Sequence, residues 1–163
     1  MGDDDAGLRV FEARDADWLV ARHAALYARD DGFDETFAPL VRGVVEAFLA
    51  AHDPARERGF VAEAGSARLG TIFCVQGEAS GMAQLRLLFL EPEARGRGLG
   101  QRMLDTCLGF AREAGYARLG LWTHESHRAA CGLYRKNGFT LIASKPVRSF
   151  GQDLVEQRWE RAL

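Results

Sequence analysis

The sequence has little that would support metal, redox or membrane chemistry. Its three cysteines, Cys74, Cys107 and Cys131, are odd in number and far apart along the chain, and no C-x-x-C pair occurs. This spacing excludes the usual zinc and dithiol motifs, so we expect buried free thiols in a reducing compartment and no bound metal. No apolar run approaches the ~20 residues of a membrane-spanning helix, so no membrane partner is expected.

Excess charge of one sign and a targeting segment are also lacking. The 163 residues carry a formal net charge of −2, which gives no general attraction for nucleic acid or anionic lipid. The acidic start, Met1–Asp5, is not followed by the apolar core of a secretory signal. These features predict a soluble, cytoplasmic protein, and the length suits one domain covering residues 1–163.

The spacing of apolar residues predicts a mixed α/β fold. Asp15 reads as the N-cap of a first helix, and a second helix begins near Asp34. Further strands are predicted at Leu8–Glu12, Gly59–Ala64, Arg68–Gln76, Met82–Leu90, Ala117–Thr123, Phe139–Ser144 and Asp153–Glu160, and further helices after Gly100 and at Ser126–Asn137. The sheet should be mostly antiparallel, with one parallel strand–helix–strand unit from Met82 to Thr123.

The segment Arg95–Gly100 carries the clearest functional signal. Three glycines in six residues, placed between a strand and a helix, let the backbone turn with its N–H groups facing inward. The following helix adds unpaired N–H groups and the positive end of its dipole, and such a place binds phosphate. Arg95 and Arg97 can add bidentate contacts. Taken alone, the segment is also compatible with a glycine-rich surface turn.

Two common phosphate-binding motifs fit this segment less well. A P-loop requires Gly-Lys followed by Ser or Thr, whereas Gly100 is followed by Gln101. A dinucleotide fingerprint would begin with Gly96 and Gly98, but Gln101 stands where its third glycine belongs. The remaining match is R-x-x-G-x-G, formed by Arg95, Gly98 and Gly100.

With this motif the sequence resembles the GNAT superfamily of N-acetyltransferases. Leu87–Pro92 is similar to the family's fourth strand, and Leu133–Phe139 is similar to its second signature, L-Y-x-x-x-G-F. The resemblance covers about Met82–Thr140, in the family's order and spacing. Leu121–Thr123 and Ser149–Val155 further resemble acetyltransferase domains fused behind MarR-type regulators. Residues 1–80 are expected to be acetyltransferase elements, without a DNA-binding half.

The resemblance implies transfer of an acetyl or other short acyl group from acetyl-CoA to a primary amine. The fourth and fifth strands should splay and hold the cofactor, with an N–H near Leu90 as the donor to the carbonyl oxygen. The residues expected to bind acetyl-CoA are Leu88, Phe89, Leu90, Arg95, Gly96, Arg97, Gly98, Leu99, Gly100, Gln101, Ala130 and Tyr134.

Tyr134 and His124 are the predicted catalytic residues. Tyr134 matches the family's general acid, which would protonate the departing thiolate, although its ring could instead only pack under the cofactor. The position of the strand-four glutamate that some members use as a base holds Gln84, which cannot act as one. His124 ends the fifth strand, and an imidazole pKa near ~6.5 suits a base. Glu91, Glu125 or a chain of water molecules are alternatives, as is a purely surface role for His124.

The acceptor is predicted from acidic residues around the linker between the first two helices. The family's variable acceptor wall lies there, and it contains Tyr27, Asp30, Asp31, Asp34 and Glu35. Their potential would favour a cationic small-molecule or peptide amine, and a solvated acidic loop is the alternative. Trp122 and Phe150 are expected in the core. His127 stands where many members carry an asparagine that contacts pantetheine.

Two other functions compete with the enzyme. One is a noncatalytic acyl-CoA-binding or sensing module on the same fold, since a fold does not fix a function. The other is a nucleotide-binding module unrelated to coenzyme A. A homodimer is an oligomeric state that the sequence leaves open.

Overall fold

The computed structural model describes residues 6–163, so the acidic start Met1–Asp5 lies outside the described residues. Within 6–163 the chain forms seven strands and four α-helices. The strands are β1 (Gly7–Val10), β2 (Arg58–Ala64), β3 (Ala67–Gln76), β4 (Met82–Leu90), β5 (Arg118–His124), β6 (Thr140–Ser149) and β7 (Gln152–Ala162). The helices are α1 (Ala16–Asp31), α2 (Phe37–Ala51), α3 (Leu99–Glu113) and α4 (Arg128–Lys136), with short 3-10 helices at Ala13–Asp15 and Pro92–Ala94.

The strands make one sheet in the order β1-β2-β3-β4-β5-β7-β6. Neighbouring strands are antiparallel except β4 and β5, which are parallel and are joined through α3. The prediction of a mixed, mostly antiparallel sheet with one parallel unit is therefore confirmed, and β4 has the predicted bounds.

The helices divide between the two faces of the sheet. On one face, α3 and α4 pack on β4 and β5 through a core that includes Leu85, Met103, Leu121 and Tyr134. On the other face, α1 and α2 pack on β2 and β3 through a second, largely aromatic and aliphatic core. Two separate cores follow from the alternation of side chains along each strand.

The centre of the sheet is open on one side of β4. Pairing between β4 and β5 covers only three positions, Met82 with Arg118, Ala83 with Leu119 and Gln84 with Gly120. Beyond these the strands separate and leave a gap, which we call the wedge. Leu87, at the edge of the wedge, has a left-handed φ of +51°, and its carbonyl accepts a 2.7 Å hydrogen bond from the Thr71 hydroxyl.

Asp15 is the N-cap residue of α1, as predicted, but its side chain makes no capping bond there. Its buried carboxylate instead pairs with Arg9 at 2.8 Å and with Arg68 at 3.2 Å. Trp122 is not in the core: it is 46% exposed on the sheet, with the Arg158 guanidinium 5.1 Å from its ring centre.

Candidate active site

The segment Arg95–Gly100, which we call the cradle, enters α3 through two left-handed glycines. Gly96 has φ +80° and Gly98, the N-cap residue of α3, has φ +83°. A Cβ atom at either glycine would meet no heavy atom within 4 Å. Because the N-cap residue is a glycine, it offers no side-chain hydrogen bond to the first turn of α3. The cradle thus combines an open approach with the unpaired N–H groups of a helix start.

The two cradle arginines differ in how they are held. The Arg95 Nε donates to the Leu90 carbonyl at 3.0 Å, and its NH1 lies 3.9 Å from an Asp30 carboxylate oxygen at the end of α1. Arg95 therefore joins the cradle to the end of β4 and to α1. The side chain of Arg97 is exposed.

Gln101 fixes the first turn of α3 to the end of α4. Its amide exchanges two hydrogen bonds with the Asn137 amide, of 2.7 and 2.9 Å, and also donates to Asp105 at 2.9 Å. Asn137 also donates to the Leu133 carbonyl at 2.8 Å. We call the paired side chains of Gln101 and Asn137 the amide clasp. The side chain of Gln101, a residue predicted to bind the cofactor, is therefore occupied, and its backbone remains for a ligand.

The predicted β4 contacts also have engaged side chains. Phe89 is buried against α1, with its ring 5.3 Å from Trp18 and 4.7 Å from His23. Leu88 and Leu90 pack on the core beneath α3, and the side chain of Leu99 is fully buried there. These residues offer a ligand their backbone, as expected for a chain segment that lies along the wedge.

Tyr134 lies in α4 and is only 3% exposed. Its ring packs on Phe139 and Trp159, at 5.4 and 6.5 Å between centres. Burial, together with nearby Tyr27 and the Cys131 thiol, raises the pKa of its phenol well above the ordinary value. The phenol therefore keeps its proton throughout the physiological range, which a general acid requires. Ala130, four residues earlier, is half-buried on the same core.

His124 is half-buried at the end of β5. Burial and the neighbouring His127, 5.4 Å away between ring centres, lower the pKa of His124, and Glu156 and Asp31 oppose that shift only in part. The imidazole is therefore neutral near pH 7 and able to accept a proton. His127 itself lies with Nε2 3.3 Å from an Asp31 carboxylate oxygen.

Glu91 is removed as a candidate base by its contacts. Its carboxylate is 6% exposed and receives two hydrogen bonds from the Arg22 guanidinium, of 2.5 and 2.8 Å. Both oxygens of this carboxylate are therefore taken up by the arginine. Glu125 is exposed, and Gln84 sits where the pairing of β4 with β5 ends.

The predicted acidic cluster does not form one patch. Asp30 pairs with Arg29 at 2.9 Å and approaches Arg95, whereas Asp31 faces His127. Asp34 accepts bonds from the backbone and hydroxyl of Thr36, and Glu35 is exposed.

Aromatic rings fill the space between α1, α2 and the β6–β7 turn. Tyr27 lies 5.3 Å from Phe33, 4.7 Å from Phe37 and 5.0 Å from His127, measured between ring centres. Burial raises the pKa of Tyr27 to about 12. Phe150 joins this group at 4.8 Å from Phe33, so its predicted packing role is confirmed.

A sequence profile decides the family. The profile described as "Acetyltransferase (GNAT) family" matches residues 11–139, which is more than half of the chain. The chain belongs to the GNAT acetyltransferase family. The proposed GNAT resemblance of the two signatures is thereby confirmed.

Curated relatives of this GNAT chain act as acetyltransferases by name. IAA acetyltransferase of Azospirillum brasilense is 30% identical over 109 residues, which cover 67% of this chain and 65% of that protein. Mycothiol acetyltransferase of Geodermatophilus obscurus is 34% identical over 81 residues, which cover 50% of this chain and 23% of that protein. The chain thus spans less than two thirds of either relative.

Solved structures share the fold of the GNAT chain. An acetyltransferase of the GNAT family from Staphylococcus aureus superposes with a TM-score of 0.79 at 17% identity, over 97% of this chain and 99% of that one. The protein yncA from Salmonella typhimurium, solved with its cofactor acetyl-CoA, gives 0.72 at 19% identity, over 98% and 94%. At such identities the likeness establishes the fold alone.

The GNAT chain has a place that fits acetyl-CoA, the cofactor of its family. The open cradle can take the phosphates, since no atom stands where a Cβ of Gly96 or Gly98 would be. The wedge leaves the β5 side of β4 unpaired past Gln84, so an extended arm can lie along it. Among residues 6–163 no three His, Cys, Asp or Glu side chains form a group that could hold a metal ion. None of the helices there is long and apolar enough to cross a membrane.

Sequence reasoning missed Arg22 and two long-range contacts around the GNAT site. Arg22 binds Glu91, and Asp31 faces His127, from distant parts of the chain, and no local pattern marks such pairs. Arg86 was read only as part of the apolar run of β4. The available signal was a single charge within Leu85-Arg86-Leu87-Leu88.

Proposed function

We propose that this protein is an acetyl-CoA-dependent N-acetyltransferase that acts on a primary amine. The observation that carries the proposal is the wedge between β4 and β5, which ends at the open cradle before α3. The cradle suits a pyrophosphate, and the wedge suits the extended arm that connects it to a thioester. A short acyl group fits the proposal as well as acetyl.

Acetyl-CoA would supply a thioester carbonyl that is open to attack by an amine. In our proposal the backbone of Leu88, Phe89 and Leu90 binds the arm, and an N–H near Leu90 faces the carbonyl oxygen as charge develops on it. A preorganised backbone donor of this kind is worth roughly 3 kcal/mol. The cradle residues Arg95–Gly100, with the backbone of Gln101, bind the phosphates, and Ala130 contacts the arm beside Tyr134.

Tyr134 and His124 are the proposed proton donor and acceptor. Tyr134 holds a proton on its phenol oxygen at neutral pH and gives it to the sulfur as the thiolate departs. His124 takes a proton from the attacking amine at a ring nitrogen, which its neutral form at pH 7 supports. Since Glu91 is held by Arg22, His124, Glu125 and water are the remaining routes for the second proton.

The acceptor, the domain organisation and the cellular location of the protein are also proposals. The acceptor is a small-molecule or peptide amine, and preference for a cationic one remains a prediction that now rests on Asp31 and Glu35. We further propose that residues 1–163 act as one cytoplasmic domain, consistent with the three buried thiols. A homodimer and kinship with acetyltransferase domains of MarR-type regulators stay predictions.

Calorimetry and turnover together test the function. We expect acetyl-CoA to bind with micromolar affinity and to release CoA thiol when an accepted amine is supplied from a panel of amines, amino acids, aminoglycosides and peptides. Binding without thiol release across the panel would favour the sensing module, which the absence of a strand-four glutamate leaves open. No binding of acetyl-CoA would contradict both.

A further inference from the structure

We propose that Arg86 binds the carboxylate of the acceptor, and that the preferred acceptors are amino acids with apolar side chains. This inference rests on the proposed function and names a substrate class for it. It depends on where β4 places Arg86, on the walls around it and on the lack of a carboxylate partner for it among residues 6–163.

Arg86 opens into a groove on the α1 and α2 side of the sheet. The preceding residue, Leu85, is buried in the core beneath α3, so alternation along β4 turns Arg86 to the opposite face. There it lines a groove of about 600 Å³ between α2 and strands β3 and β4. The groove walls are mostly apolar and include Leu40, Val44, Ala47, Phe73, Val75 and Leu87.

No acidic side chain within residues 6–163 pairs with Arg86. The groove contains one carboxylate, that of Glu57, and both its oxygens accept backbone N–H bonds, from Asp53 and Gln76, at 3.1 Å each. His52, also in the groove, holds the Phe48 carbonyl at 2.8 Å. Desolvation by the groove walls lowers the pKa of the Arg86 guanidinium, and no carboxylate offsets the shift.

Arg86 is exposed and has no carboxylate partner among residues 6–163, so its guanidinium holds water until a ligand replaces it. The guanidinium presents donors in a fixed fork that matches a carboxylate bidentately. The apolar walls would receive the carbon side chain of the same ligand. Together they fit an amino acid better than a simple alkylamine.

The groove also borders the wedge. Pairing of β4 with β5 ends at Gln84, and Arg86 is two residues further, or about 7 Å into the part of β4 that the wedge leaves unpaired. The cradle belongs to the α3 side of the sheet, and the groove to the α1 and α2 side. An amino acid anchored at Arg86 therefore points its amine to the wedge from the face opposite the phosphates.

Paired acceptors and three variants test this assignment. The acceptors are leucine, methionine and phenylalanine, each compared with its carboxamide, and the variants are Arg86→Gln, Arg86→Lys and Arg42→Gln. Arg42 also lies on α2, but it does not line the groove and it pairs with Asp17 at 3.2 Å, so it controls for the loss of one positive charge. The readouts are steady-state CoA release and the Tm shift that each amino acid produces in the presence of CoA.

We expect the wild-type protein to use and bind at least one amino acid better than its carboxamide. Arg86→Gln should raise KM for that amino acid about tenfold, because water screens an ion pair at an exposed guanidinium, and leave the carboxamide and kcat nearly unchanged. Arg86→Lys should restore part of the difference, and Arg42→Gln should behave like the wild type.

Two results overturn the inference. One is equal KM and equal Tm shift for every amino acid and its carboxamide in the wild type. The other is a discrimination that survives Arg86→Gln. A Tm shift that depends on Arg86, with no CoA release from any amine, would support the site and overturn the proposed enzymatic function instead.

Discussion

The two faces of the central sheet are built differently around the wedge. On the α3 side, buried core residues and the amide clasp between Gln101 and Asn137 hold the helices together, and what remains for a ligand is mainly backbone. On the α1 and α2 side, aromatic rings and the groove at Arg86 present side chains. The α3 face is suited to the cofactor, which is the same in every reaction. The α1 and α2 face is suited to the acceptor, which side chains can select.

The faces are joined at the end of β4. Arg22 of α1 binds Glu91, and Arg95 of the cradle reaches both Leu90 and Asp30. The ring of Tyr27 also acts on the pKa of Tyr134 from across the wedge. A movement of α1 should therefore change the geometry of the cradle, although acceptor and cofactor would enter from opposite faces of the sheet.

The largest expected effect comes from closing the cradle with Gly98→Val. A β-branched residue at φ +83° is strained by roughly 1–2 kcal/mol, and its side chain would fill the open approach. We expect acetyl-CoA affinity to fall at least about 1000-fold, or about 4 kcal/mol, as measured by calorimetry.

Gly65→Val is the matched control for this variant. Gly65 has φ +59° and equally open space, but it lies in the β2–β3 turn, outside the cradle. Both variants should lose similar stability in urea unfolding, and only Gly98→Val should lose binding. Wild-type affinity in Gly98→Val would contradict the placement of the phosphates.

Tyr134→Phe should have the next largest effect. It removes one hydroxyl from a packed ring, so acetyl-CoA should bind as before while kcat falls about 100-fold, the low end for general acid catalysis because a thiolate leaves fairly readily. Since burial raises the phenol pKa, the wild-type rate should persist to alkaline pH, and any alkaline limb due to this phenol should vanish in the variant.

Tyr116→Phe provides the comparison for that experiment. Its hydroxyl donates to the Arg56 carbonyl at 2.7 Å, so the variant should lose about 1 kcal/mol of stability and keep its kcat. If Tyr134→Phe retains full kcat, the residue serves packing only.

The smallest effect is expected at His124. His124→Gln should lower kcat about tenfold, less than a sole base would contribute, because water can carry the proton instead. Since the folded pKa of His124 is lowered, its neutral form persists below the ordinary ~6.5, and the acid limb of the kcat profile should lie below that pH.

His127→Asn sharpens the assignment. The charge of His127 lowers the pKa of His124, so its removal should move the acid limb to higher pH. An acid limb that is unchanged in both His124→Gln and His127→Asn would assign the base elsewhere.

Local patterns predicted the parts of the fold that depend on backbone and periodicity. The bounds of β4 were predictable from a mostly apolar run. The cradle was predictable from its glycines, because a left-handed turn favours that residue. Strand β6 was predicted to end at Ser144 but continues to Ser149. The reason is that Pro146 is tolerated on an edge strand, where no second neighbour needs its N–H.

Features that depend on distant residues were not predictable in the same way. Asp15 carries the usual signal of an N-cap, yet two arginines from β1 and β3 take its carboxylate. Trp122 was assigned to the core because nothing in the sequence says which face of β5 the helices leave bare. For the same reason, the sequence did not show that Arg86 lines the groove.

The three cysteines have a practical consequence for measuring this protein. All of them are buried, with Cys74 and Cys107 fully enclosed and Cys131 the least protected at 7%. A chromogenic disulfide reagent should therefore read released CoA against a nearly silent background while the protein is native. In denaturant the same reagent should titrate three thiols per chain, so one dye can report both catalytic turnovers and the fraction of molecules that have opened.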